Sequence, residues 1–338
     1  MERHSSFMIY LNRKLLKNLS LLIISILIFF TIAEVLTRLF WNVRIEKQHE
    51  GVILTGENRS YIHEGILYKT NSLGIRNKEI SKGKQENCLR VLAIGDSYTW
   101  GDGLSEDKLV TTKLENLLTK ESTGKIEVIN AGICGYNTED EYHQLTRLFP
   151  VYQPDLIILF FFTNDLLARD SSGIQTDWKA NFNMFMRENS KFYAFLYYLW
   201  LNSEIAVPDL ILPSDYFNLD DNKPGWDSLK NYFLKIKDYC RSNKAGFIFV
   251  VIPTLTNLDE NYPYMELNNK VNEFVKSNNV PFLSYYELFS GYEPKELWIS
   301  LENVHWNDKA TSLAADELAK FVLKNGFEKK LFIINDHK

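Results

Sequence analysis

The 338-residue chain has few of the residues that build a metal centre or a disulfide framework. Its three cysteines, Cys88, Cys134 and Cys240, lie far apart and include no CxxC pair, so they read as single thiols and exclude a zinc ribbon or a stapled scaffold. No HExxH, EF-hand loop or GxxxxGK[ST] string is present, so neither a metal nor a cofactor is expected and the chemistry must come from side chains alone. Lys/Arg-rich runs are absent and the formal net charge is -5, which leaves no basic stripe for nucleic acid. Repeats and low-complexity tracts are also missing. What remains is a globular composition, 45% hydrophobic and 24% charged, able to bury a large core.

One uncharged apolar run stands out, Asn18–Ala33, preceded by Arg13, Lys14 and Lys17. Alone it is short for the roughly 20 residues that cross a bilayer. Leu15 and Leu16 extend it on one side and Val35 to Trp41 on the other, so residues 15–41 are predicted to be a transmembrane helix, with Glu34 and Arg38 pairing four apart near the interface. A cleaved signal peptide is the competing reading, but no A-x-A-like site follows and large residues occupy the cleavage position. Arg3, Arg13, Lys14 and Lys17 face Arg38, Arg44 and Lys47 across the run. This slight bias predicts a cytoplasmic tail at 1–14 and an extracytoplasmic catalytic domain.

Residues 42–87 are polar and glycine-punctuated, and read as a connecting strap. Beyond them the pattern changes. Leu89–Ile94, Ile126–Ile129, Leu156–Phe162, Phe247–Ile252 and Pro281–Tyr285 are short apolar runs suited to buried parallel strands. Helical patterns separate them over Lys108–Leu118, Thr138–Phe149, Trp226–Arg241 and Leu267–Val275, and a last helix carries Ala314, Leu318, Phe321 and Val322 on one face. The alternation predicts an α/β fold, a three-layer doubly wound sheet of about five parallel strands, over residues 88–328. It stops between residues 166 and 224, an aromatic-rich stretch predicted as a helical insertion over the strand ends. That insertion is either a lid or acyl-binding wall, or an aromatic satellite core. Residues 329–338 read as a tail.

The first strand runs out into Gly95-Asp96-Ser97, at the end of an α/β sheet where ligands bind. A serine hydroxyl needs a neighbouring base to become a nucleophile, and there are six histidines. His4, His49, His63 and His337 fall in the tails or strap, and His143 lies mid-helix on a face that reads as surface. His305 sits instead in the loop before the last helix, with Glu302 three residues ahead to orient its second nitrogen and Asn303 between them offering no charge. Donors to a developing oxyanion are available from the glycine-bearing loop Asn130–Tyr136 and from Thr163-Asn164-Asp165, each following a strand. Each signal alone is ordinary; their order after successive strands is not.

That ordered set resembles the SGNH, or GDSL-type, hydrolases, whose motif blocks centre on Ser, Gly, Asn and His. The resemblance runs from about residue 90 to 325 and implies a flavodoxin-like SGNH fold. It implies Ser97 as nucleophile, His305 as base then acid and Glu302 as third member. The Ser97 and Gly135 N–H groups and the Asn164 amide then line the oxyanion hole, with Asp96 supporting. Two departures stand out: Glu302 replaces the usual Asp, and Phe162 stands where the third block opens with Gly, a bulk expected to narrow the acyl side of the pocket. Asn71–Arg76 is similar to a string frequent in bacterial members. The implied activity is an esterase or acylhydrolase on a glycan O-acetyl or lipid ester. The alternatives are a polysaccharide O-acetyltransferase using the same first half-reaction, or a catalytically weak envelope binding component. Oligomeric state is not legible in the sequence.

Overall fold

In the computed structural model, residues 2–41, 56–63, 65–166, 182, 185–186, 189–201, 223–301 and 303–325 are described. The chain divides into two compact units. The first comprises Met1–Glu50 and Ser172–Ala206, the second Gly51–Ser171 and Val207–Lys338.

The first unit is built on one continuous helix, α1 (Glu2–Phe40). Its segment Leu15–Phe40, 26 residues, is long and apolar enough to cross a bilayer, and its apolar side chains are exposed along the length. Arg38 Nε donates to Glu34 Oε1 at 2.7 Å, the predicted pair. The same unit holds the described part of the aromatic insertion. Of the insertion predicted over the strand ends, residues 167–181 and 202–222 lie outside the described residues; its helix Lys191–Leu201 packs on α1, through Phe192 against Phe29 and Phe30 and through Phe195 against Trp41. A helix apolar on every side has no face to turn to water, which is why it seeks another apolar surface.

The second unit opens with an antiparallel hairpin, β1 (Ser60–His63) and β2 (Ile66–Lys69). The main sheet follows: β3 (Cys88–Gly95), β4 (Lys125–Asn130), β5 (Leu156–Phe161), β6 (Gly246–Val251) and β7 (Phe282–Ser284), all parallel, in the order β4-β3-β5-β6-β7. Both faces are covered, so β3 and β5 are buried at every position, as continuous Leu/Ile/Val/Phe runs require. The helices are α2 (Ser97–Trp100), α3 (Val110–Glu121), α4 (Thr138–Tyr152), then Lys191–Leu201 of the first unit as α5, α6 (Lys223–Ser242), α7 (Met265–Ser277), α8 (Tyr286–Phe289) and α9 (Asp308–Lys324).

The strap is more structured than its polarity suggests. From Gly51 it belongs to the catalytic unit, where Tyr68, Ile75 and Arg76 are buried. The Arg76 guanidinium donates to the carbonyls of Trp100, at 3.1 Å, of Gly101, at 2.6 Å, and of Leu104, and lies 4.2 Å from the centroid of the Tyr68 ring. Its string Asn71–Arg76 therefore pins the loop that follows α2. A second buried cation, Arg90 on β3, pairs with Glu127 on β4 at 2.6 Å and donates to the Tyr152 carbonyl at 2.9 Å, tying two strands to the end of α4.

Sheet order fixes where a site can lie. Chain progress reverses direction at β3, with β4 on one side and β5 on the other, so the crevice at their carboxyl ends is the topological switch point.

Candidate active site

Three loops leave the sheet at that crevice. After β3, Asp96 caps α2, its Oδ1 accepting from the Tyr98 N–H at 2.9 Å, and Gly101 closes the four-residue helix in the left-handed region (φ 83°). Ser97 is thereby the first residue of a short helix. After β4, Gly132 lies against α2 so closely that a Cβ there would fall 2.5 Å from the Trp100 nitrogen and 2.6 Å from the Thr99 Cβ. Only glycine lets this loop approach α2. Gly135 follows at φ 75° with open space beside it. After β5, the Asn164 side-chain amide donates to Asp96 Oδ2 at 2.8 Å, so the first and third loops are joined through Asp96.

The histidine arrives from the far end of the chain. Residues 297–301 and 303–307 pair in a narrow return: Trp298 bridges Trp306, Ile299 N–H donates to the His305 carbonyl at 3.0 Å, and Asn307 N–H donates to the Leu297 carbonyl at 2.7 Å. Trp306, fully buried, donates its indole N–H to the Tyr98 carbonyl at 3.0 Å, fastening the return to α2. His305 Nε2 then lies 2.7 Å from Ser97 Oγ.

The other ring nitrogen reveals what the sequence reading passed over. Asn303 Oδ1 is 2.7 Å from His305 Nδ1, and the same atom accepts the His305 backbone N–H at 3.1 Å. An atom that accepts a backbone N–H is the amide oxygen, so Nδ1 carries the ring proton and Nε2 is the acceptor facing the serine hydroxyl. Charge is not required to hold a tautomer. A carboxylate is nonetheless close, since Asp102 Oδ2 lies 3.7 Å from Nδ1, on the loop that Arg76 pins. Glu302, the expected third member, lies outside the described residues. Asp102 stands five residues after Ser97, and no spacing rule singles it out; Asn303 reads in the sequence only as an uncharged residue two before the histidine.

Phe162 is buried, its ring 4.5 Å from that of Tyr98, which in turn lies 4.8 Å from His305. The Tyr98 ring, backed by Phe162, is thus an apolar neighbour of the imidazole. His143 is exposed on α4, as its helical position predicts.

Beneath the site three carboxyl groups are buried together. Burial pushes the Asp96 carboxyl up, against the hydrogen bonds from Tyr98 and Asn164 that pull it down. Burial, then repulsion from Asp165 and Asp96, raises Glu141 well above the usual carboxylate range, and burial with Asp96 repulsion does the same to Asp165. Neither Glu141 oxygen has a hydrogen-bond partner among the described residues. A neutral carboxyl is the form such surroundings favour.

A model of the GDSL-like lipase/acylhydrolase family matches residues 93–311, which includes every loop just described except the strap. The chain belongs to this family. It is accordingly a GDSL-type hydrolase of ester bonds with the family's α/β fold. No curated protein matches it. Among solved structures, an acetyl xylan esterase is similar at 20% identity and TM-score 0.44, covering 69% of this chain and 100% of that one. A psychrotrophic esterase from Pseudoalteromonas matches at 16% and 0.43, over 70% and 97% of the two chains, and the lipase/acylhydrolase from Enterococcus faecalis at 18% and 0.41, over 70% and 96%.

Proposed function

We propose that this GDSL hydrolase is a membrane-anchored serine esterase with an extracytoplasmic catalytic domain, cleaving carboxylic esters, O-acetyl groups on envelope glycans in particular, through an acyl-Ser97 intermediate. The observation that carries the reading is the 2.7 Å separation of His305 Nε2 from Ser97 Oγ, with the tautomer already set for proton acceptance. Ser97 Oγ attacks the ester carbonyl as His305 takes its proton. The imidazolium returns that proton to the departing alkoxide, and water repeats the cycle on the acyl-enzyme. The N–H groups of Ser97 and Gly135 and the Asn164 amide serve as oxyanion donors, and Asp96 orients both Ser97, through α2, and Asn164.

Asn303 holds Nδ1–H in this scheme, and Asp102 supplies the negative charge that favours the imidazolium. Glu302 is the competing source of that charge by its sequence position. The glycan preference follows from location: a protein anchored by α1 with its domain outside meets envelope polysaccharide. Acetate release from an acetylated polysaccharide tests it, and adding unacetylated glycan separates hydrolysis from transfer. Wild type is expected to release acetate and Ser97→Ala to lose at least about 10³-fold in kcat. Acetyl groups appearing on the added glycan in place of free acetate would make the protein a transferase.

A further inference from the structure

α5 poses a problem that the catalytic reading leaves untouched. Its sequence, Lys-Phe-Tyr-Ala-Phe-Leu-Tyr-Tyr-Leu-Trp-Leu, has no charge after the first residue. Leu196 and Leu199 are nonetheless about half exposed, and so are Phe182 and Phe185 just ahead of it. A helix apolar all round belongs in a protein core or in hydrocarbon.

The start of α5 shows which. Any helix leaves its first N–H groups without intrahelical partners, a matter of indifference in water and of several kcal/mol each in a bilayer. Here each is supplied by protein. Lys191 N–H donates to Glu34 Oε1 at 3.0 Å, Phe192 N–H to Glu34 Oε2 at 2.9 Å, and Tyr193 N–H to Ser190 Oγ at 3.1 Å. The Ser190 hydroxyl also donates to Glu34 at 2.8 Å, and Arg38 completes the carboxylate's shell at 2.7 Å. The acid comes from within the apolar span of α1, where an ionised group needs partners inside the protein. Glu34 is six residues short of Phe40, so the cap lies about 9 Å below the end of α1 at 1.5 Å per residue.

Direction follows from the rings. Phe192 meets Phe29 and Phe30, whereas Phe195 meets Trp41, so α5 runs alongside α1 toward its carboxyl-terminal end. Trp41 with the Lys191 ammonium 5.4 Å from its ring centroid gives that end the aromatic and basic character of a membrane boundary. We infer that α5 is a second membrane-seated element: a helix that begins inside the leaflet at the carboxyl-terminal end of α1, is capped there by Glu34, and turns its exposed leucines to lipid. Its apolar surface continues that of the span, which is why lipid is the occupant and not a soluble partner.

The inference rests on α1 being retained as an anchor, and one experiment separates the two. The full-length protein is reconstituted in phosphatidylcholine vesicles doped with a phosphatidylcholine whose acyl chain bears a diazirine. After irradiation, lipid adducts are mapped on peptides by mass spectrometry. Adducts are expected both in residues 15–40 and in residues 191–201. Glu34→Ala is expected to lose the second set and keep the first, with hydrolysis of a soluble aryl ester unchanged. Wild-type adducts confined to residues 15–40, α5 cross-linked only to a second copy, or α5 adducts that persist in Glu34→Ala would each overturn the inference while leaving the anchor standing. An intact mass lacking α1 would overturn both.

Discussion

Ser97 and His305 lie 208 positions apart and meet at hydrogen-bond distance. Both were legible in the sequence, the serine by its place after a buried strand and the histidine by elimination. The groups behind the imidazole were not, because their identification depends on which atom faces Nδ1, and a side chain's aim is set by turns and not by spacing. Asn303→Ala removes the acceptor that fixes the tautomer and is expected to lower kcat/KM by about 10²-fold. Asp102→Asn removes charge and keeps shape, and is expected to lower kcat by about 10-fold or more, whereas Asp102→Glu, which keeps the charge, is expected to retain most of it. If Glu302→Gln lowers kcat and Asp102→Asn does not, the charge comes from Glu302.

The buried acids give a residue-scale prediction about stability. Glu141 is raised above its unfolded value, so the native state holds its proton more tightly. Stability is then fully present below the ordinary carboxylate range and falls as pH rises toward the folded value. Glu141→Gln is expected to flatten that fall, its urea midpoint exceeding wild type at neutral pH and converging on it near pH about 4. Parallel midpoint curves would contradict the buried-acid account.

Among the elements, the five strands of the main sheet were legible because a strand buried on both faces is an unbroken apolar run. The hairpin β1–β2 was not. Its strands are four residues each, too short for alternation to register, and Leu67 and Ile62 are exposed. Nor could polarity show that Arg76 enters the interior, since a buried guanidinium satisfied by carbonyls looks in sequence like any loop arginine. The helix Lys191–Leu201 was legible in the insertion as aromatic and helical, but its packing on α1 was not, because composition says that a helix seeks an apolar surface and not which one. Arg90 tests the elements' mutual dependence. Arg90→Ala leaves Glu127 to the half-exposed Lys125, 2.6 Å away, and loses the guanidinium's bonds, a change expected to cost about 1–3 kcal/mol in chemical denaturation. A loss under about 1 kcal/mol, the scale of an exposed pair, would show that the bridge does not hold β3 to β4.

For the whole molecule, the two units divide the labour that the sequence divides: one carries the apolar span and its capped helix, the other the sheet and the converging loops. Retention of the span predicts that the protein stays with membranes through an alkaline carbonate wash and is released by detergent; release by carbonate would mark α1 as removed or peripheral. In the proposed mechanism a hydroxyl on α2 is made nucleophilic by an imidazole from the loop before α9. A fluorophosphonate probe applied to the full-length protein reads this out. A covalent adduct is expected on Ser97, absent in Ser97→Ala and strongly slowed in His305→Ala. An unlabelled Ser97 in folded wild-type protein, or labelling indifferent to His305, would contradict it.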